Sequence, residues 1–285
     1  MPRGQTISLS FPPFAGWVRK LSLTYAAISL LRLIILAFSP DLDRQILQVF
    51  ALIPELVMRG WIWQLLTYSF IHLGLLHLIF NVLMLWMFGA DLESDWGSKR
   101  FLEFFLFCVA GAAVTTIVVS YTGVMGVQPS TPTVGASGGI FGILAAFGLL
   151  YGDREVGLFP FFFIRFRAKY LIAGLIFIEV YLALQNASAR GDAVAHVAHV
   201  GGALVAWLYL RFLPRRGLTY GVSEKYFGVR NWYYRWKRRR AAKKFEVYMR
   251  DQDRQVTFDE HGNYVPPDDG KPDKKNGGGP SGWVN

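Results

Sequence analysis

The chain has 285 residues, 53% of them hydrophobic and 16% aromatic, with a mean hydropathy of +0.29 and a formal net charge of +10. Long charge-free apolar runs exclude an ordinary water-soluble domain and mark a polytopic membrane protein. One cysteine, Cys108, excludes an intrachain disulfide, and the charge is uneven: 14 basic and 11 acidic residues up to Leu213, against 16 and 9 beyond it.

Residues 1–20 are polar and proline-containing, with no small-residue cleavage site ahead of the first apolar run, so no removable signal peptide is expected. The first span is predicted over Leu21 to Phe38, closed by Pro40 and carrying Arg32. An ionisable residue at that depth needs a partner or a function, and a structural role is favoured for Arg32, whose long side chain can reach an interface. Residues 39–71 read as a long connection, with the aromatic run Trp61 to Trp63 suited to the membrane interface.

A second span is predicted over His72 to Ala90, followed by a short loop containing Asp91, Glu93, Asp95, Lys99 and Arg100. The third runs over Phe101 to Tyr121. The fourth follows a charge-free loop and lies within Thr133 to Leu150, reading TVGASGGIFGILAAFGLL. Residues 152–169 form a basic connection, Tyr170 to Leu184 a fifth span containing Glu179, and Val194 to Leu213 a sixth, ended by Pro214. The partner of Glu179 cannot be read from the sequence. Basic residues near the span ends fall mostly on one side, at Arg19, Lys20, Lys99, Arg100, residues 154–169, Arg215 and Arg216. The positive-inside rule then predicts cytoplasmic N- and C-termini and puts Ser137, His72, His77 and His199 toward the outer face.

Three of these segments carry polar residues that could do chemistry. Ser137 lies among Gly135, Gly138 and Gly142, where a helix-packing role is the plain alternative because small residues let helices approach. His77 and Asn81 are four apart, so both leave one helix face, and both are donors that could stabilise an oxyanion or pack against neighbours. In the sixth span, AHVAHVGGALVAW, His199 precedes Gly202 and Ala206 at spacings of three and seven. That small-residue stripe could press against Gly138 and Gly142 and bring His199 to Ser137, where an imidazole can accept the serine proton. His196, one turn earlier, competes for the same role.

GASG at 135–138, HLIFN with His77 and Asn81, and Ala198-His199 with Gly202 and Ala206 resemble, in order and placement, the three hallmark motifs of rhomboid intramembrane serine proteases. The resemblance covers about residues 55–213. It implies an all-α polytopic fold, a six-transmembrane-helix bundle over residues 21–213, with Ser137 as nucleophile and His199 as general base. It further implies an oxyanion hole from His77, Asn81 and the Ser137 amide and a cavity shaped by His72, Gly135, Gly138, Phe141 and Gly202; no cofactor is expected, nor a metal, since His196 and His199, three apart, lack an evident third ligand in the sequence. The substrates implied are membrane-anchored proteins cut at or near a transmembrane helix, with residues 170–184 and 185–193 associated with substrate entry. The sequence departs from many relatives at Trp63-Gln64, where they carry Trp-Arg, at Phe141, where they carry tyrosine, and at Ala206, where glycine is commoner.

Beyond the core, residues 214–285 read as a cytoplasmic C-terminal extension. NWYYRWKRRRAAKKFEVYMR, residues 231–250, is a basic, aromatic helix suited to anionic lipid rather than nucleic acid. From Asp251 onward a short ordered element and then disorder are expected. No HExxH motif or intraspan aspartate pair is present, so the rival is a proteolytically inactive rhomboid-like protein that binds membrane clients. A bacterial plasma membrane is the expected location.

Overall fold

The structure is a computed structural model in which residues 12–123, 126–158, 161–185, 193–212, 218–252, 256–260 and 263–265 are described. Its contacts divide the chain into two units, residues 1–218 and 219–285. The first unit is mostly helical. It contains α1 (Gly16–Phe38), α2 (Pro40–Phe50), α3 (Pro54–Met58), α4 (Gln64–Thr67) with a 3₁₀ turn at Tyr68–Phe70, and α5 (Leu75–Trp96). After these come α6 (Ser98–Thr122), α7 (Ser137–Leu150), the strands β1 (Glu155–Leu158) and β2 (Phe161–Arg167), α8 (Ala168–Gln185) and α9 (Ala193–Phe212). Helices α1, α5, α6 and α8 are long and apolar enough to cross a membrane, and α7 is a shorter apolar helix.

Helix starts and stops follow local chemistry, with some help from distant residues. Pro40 opens α2 at a position where a missing N–H costs nothing, and Ser39 before it leaves the helical region at φ −152°. The first turn of α1 has no side-chain cap of its own. Glu93 supplies one from α5, its carboxylate accepting from the Trp17 and Val18 amides at 2.7 and 2.9 Å. This use of Glu93 explains why α5 runs to Trp96 and not only to Ala90: the acidic residues expected to form a loop are held as helix by partners elsewhere. Asp91 pairs with Arg154 at 2.7 Å, and Asp95 accepts from the Tyr151 hydroxyl.

The expected basic connection at 152–169 contains an antiparallel hairpin, pairing Glu155 with Arg167 and Gly157 with Arg165. Charge dominated the reading of that stretch, whereas the aromatic and branched residues of FFFIRFR favour a pleated conformation. His72 lies ahead of α5, because Gly74 takes extended backbone at φ −149° and starts the helix one residue later. Helix α7 likewise begins at Ser137, leaving Thr133 to Ala136 as non-helical chain.

Helices α6, α7 and α9 form the centre. A Cβ on Gly202 would fall inside the van der Waals envelope of the Gly138 carbonyl oxygen, so α9 and α7 meet at backbone contact. On the same faces a Cβ on Gly138 would stand 2.6 Å from Ala112 Cβ, and one on Gly142 2.6 Å from Cys108 Sγ. Ala206 and Cys108 are completely buried beside this contact.

The second unit contains α10 (Leu218–Arg250) and a two-strand hairpin of β3 (Thr257–Phe258) and β4 (Tyr264–Val265). Phe258 sets its ring edge-on to Phe245 at 6.2 Å, which ties the hairpin to the end of the helix. The disorder expected after this hairpin falls on residues 266–285, outside the described residues, as does most of the loop expected at 185–193.

Candidate active site

The approach to α7 is held from the long connection ahead of α5. Leu52 and Thr133 exchange backbone hydrogen bonds at 2.9 and 2.8 Å, and the Gly135 amide donates to the Tyr68 carbonyl at 2.9 Å. Tyr68 is fixed in turn by its hydroxyl, which donates to the Val109 carbonyl at 2.8 Å in the interior. Gln64, in the position where an arginine network was not expected, builds an amide-based network. Its Oε1 accepts from the Ile53 amide at 3.0 Å and its Nε2 donates to the Gln48 carbonyl at 2.9 Å. A fully buried carboxamide carries both donor and acceptor, so it can hold the end of α2 and the chain that follows it without importing a charge.

The chain then turns through Gly135 at φ +109°, a region that side chains other than glycine rarely adopt. A Cβ there would also lie 2.7 Å from His77 Cε1 and 3.8 Å from Ser137 Oγ, so the imidazole of His77 and the Ser137 hydroxyl border the same point. Ser137 opens α7. Like the other first-turn amides, its N–H has no carbonyl four residues back within the helix, and the positive end of the helix dipole lies there. An oxygen acquiring negative charge beside Ser137 would meet that field.

His199 of α9 comes to the same place. Its Nε2 is 2.7 Å from Ser137 Oγ, and its ring stacks on Phe141 of α7 at 4.4 Å between centroids and 12° between planes. The other ring nitrogen, Nδ1, is 2.8 Å from Glu179 Oε2 on α8. His196 reaches the same carboxylate oxygen through its own Nδ1 at 2.6 Å. Of the two histidines, His199 is therefore the one set against Ser137, with His196 behind it on the carboxylate.

On α5, Asn81 is buried and donates through Nδ2 to the His77 carbonyl at 2.7 Å, which leaves one N–H of its amide for another acceptor. His72 is buried with its ring edge-on to His77 at 5.1 Å and tilted against Tyr25 at 5.4 Å, so it backs the His77 imidazole. The His72 carbonyl accepts from Arg32 Nη1 at 3.0 Å, and Arg32 is itself paired with Asp43.

The group the sequence left without a partner, Glu179, turns out to be part of this site. Its detectable signal was a lone carboxylate inside an apolar span. Glu179, His196 and His199 could offer three metal-ligating atoms within 4.8 Å of one another. However, two ligands of one tetrahedral zinc stand about 3.3 Å apart, given bonds near 2.0 Å. The observed contacts of 2.6 and 2.8 Å are shorter and are those of hydrogen bonds.

Comparison with known proteins gives the family. The rhomboid domain model matches residues 59–216, and the chain belongs to the rhomboid family. With its apolar helices, that makes it an integral membrane protein. It is 42% identical over 97 residues to the rhomboid protease GluP of Bacillus subtilis, covering 34% of this chain and 17% of that protein. Rhomboid-like protein 19 of Arabidopsis thaliana is 29% identical over 177 residues, 59% of this chain and 54% of the relative. The mitochondrial presenilin-associated rhomboid-like protein A of Danio rerio is 28% identical over 144 residues, 50% and 36% respectively. The chain thus spans about half or less of the length of these relatives.

Proposed function

We propose that this chain is an intramembrane serine endopeptidase that cleaves membrane-anchored proteins at or near a transmembrane helix. The observation that carries the reading is the 2.7 Å contact between Ser137 Oγ and His199 Nε2. Ser137 Oγ attacks the scissile carbonyl as its proton passes to His199 Nε2, and the tetrahedral oxyanion is met by the Ser137 amide, His77 and Asn81. His199 returns the proton to the leaving amine, leaving an acyl-enzyme. Water, deprotonated by the same imidazole, releases the second product and regenerates the serine.

In this reading residues 21–213 form a six-span core with both termini cytoplasmic, in a bacterial plasma membrane. The depth of the site is supported by the length of α7: 14 residues rise about 21 Å, short of a hydrocarbon core of about 30 Å. Substrate entry is assigned to the neighbourhood of α8, less buried than α1, α5 or α6. In a reconstituted assay with a labelled single-span substrate, Ser137→Ala and His199→Ala should each lower cleavage by at least about 10⁴-fold while still inserting. Cleavage by Ser137→Ala at the wild-type rate would refute the assignment. Inactive wild type that still retains the substrate would favour the client-binding alternative.

For α10 the proposal is peripheral binding to anionic lipid. Trp232, Tyr233, Tyr234 and Trp236 are exposed alongside the arginines and lysines of residues 235–244. Vesicles containing anionic lipid should bind a peptide of residues 231–250, with affinity falling as salt is raised from about 0.01 to 0.15 M, a range over which screening tightens strongly. Binding that ignores salt and lipid charge would count against it.

A further inference from the structure

We propose that Glu179 is a positioning residue for the serine chemistry, making the site a Ser137–His199–Glu179 triad in place of an isolated pair. The inference rests on the proposed hydrolase reading and adds a residue to it. An ionised carboxylate can only accept hydrogen bonds, so with Glu179 Oε2 2.8 Å from His199 Nδ1, that nitrogen carries the proton. The lone pair of the neutral ring is then on Nε2, the nitrogen 2.7 Å from the Ser137 hydroxyl. Glu179 thereby selects the one tautomer that can take the serine proton. When the proton arrives, the resulting imidazolium faces a negative charge on its far side.

Three contacts from two helices fix the ring: Ser137 on α7 at one nitrogen, Glu179 on α8 at the other, and Phe141 of α7 against its face. His196 completes the arrangement. By donating to the same Oε2 at 2.6 Å, it gives the carboxylate a second partner and holds it in place independently of His199. Glu179, His196 and His199 are each about 15 to 17% exposed at the side chain, so the group is shielded but not sealed. A carboxylate at this depth is costly without donors, and two imidazole N–H groups account for its presence.

The test uses the full-length protein in detergent and a fluorophosphonate probe, which reacts with an activated serine and needs no knowledge of the natural substrate. Both the maximal phosphonylation rate and the probe concentration giving half of it are measured. Glu179→Gln keeps the shape but removes the charge, and its amide can turn an N–H toward Nδ1. The maximal rate should fall on the order of 10²-fold with the half-saturating concentration unchanged, the scale expected when a base loses its orientation. Glu179→Asp keeps the charge and should recover at least about tenfold relative to Glu179→Gln, while His196→Ala should lose less than Glu179→Gln.

An independent readout is the nitrogen spectrum of the histidines in unreacted wild type, where His199 should show a protonated Nδ1 and an unprotonated Nε2. The proposal is overturned if the opposite tautomer is found. It is also overturned if Glu179→Gln reacts at the wild-type rate, or if Gln and Asp substitutions lose rate equally. Unreactive wild type would instead strike the hydrolase reading beneath it, so the two failures are distinguishable.

Discussion

Arg32 and Glu179 are both charged side chains inside apolar helices, and they meet their partners in different ways. Arg32 donates from Nη2 to Asp43 Oδ2 at 2.9 Å, with Nε in ion-pair contact with Oδ1 at 2.8 Å, while Nη1 donates to the His72 carbonyl. Both side chains are almost wholly buried, and a guanidinium does not give up its proton. Glu179 instead faces two imidazoles, one of which presents its second nitrogen to a hydroxyl. A pair of fixed charges with its hydrogen bonds directed into the fold ties α1, α2 and the chain before α5 together. A carboxylate set against titratable rings can support the movement of a proton. The same kind of anomaly in a hydropathy profile therefore marks architecture in one place and, in the proposed reading, chemistry in another.

That contrast can be broken by substitution. Asp43→Ala leaves the Arg32 charge buried without its counter-ion and should cost about 3–5 kcal/mol of stability, read as a lowered thermal unfolding midpoint in detergent. A midpoint unchanged from wild type would mean that the buried pair is not what ties the first helices together. Gly202→Ala should have an intermediate effect: the added methyl must push α9 off α7, with about 1–3 kcal/mol of overpacking strain. Because Ser137 and His199 sit on those two helices, a displacement near 1 Å should also lower labelling by about 10²-fold. Normal labelling would show that the helices can separate without moving the pair. At the small end, Glu179→Gln should leave the unfolding free energy within about 1 kcal/mol of wild type, since it keeps the volume and one oxygen that can accept from the imidazoles. A large loss of stability there would make Glu179 a second architectural clamp.

Much of the candidate site's arrangement was legible because its parts are local. The glycines around Ser137, the four-residue spacing of His77 and Asn81, and the three- and seven-residue steps from His199 to Gly202 and Ala206 are helix-face patterns, visible along a single segment. The backbone contact between α7 and α9 follows from those small residues. What escaped were pairings set by packing between segments. Glu179 lies 17 residues from His196 and 20 from His199, on a separate helix. Arg32 and Asp43 sit on α1 and α2, and the region of Asp43 was read as loop. Acidic residues 91–95 were read as a short loop with Lys99 and Arg100, yet Glu93 is used from within α5 as the cap of α1. The hairpin at 155–167 was hidden by its charge, and the carboxamide network of Gln64 depends on three backbone groups that only folding brings near it.

The central claim is that Ser137 is an activated nucleophile, and fluorophosphonate labelling of the purified wild type beside Ser137→Ala and His199→Ala tests it most directly. Labelling of the wild type alone is the predicted result. Equal labelling of folded Ser137→Ala, or none of folded wild type, would contradict it.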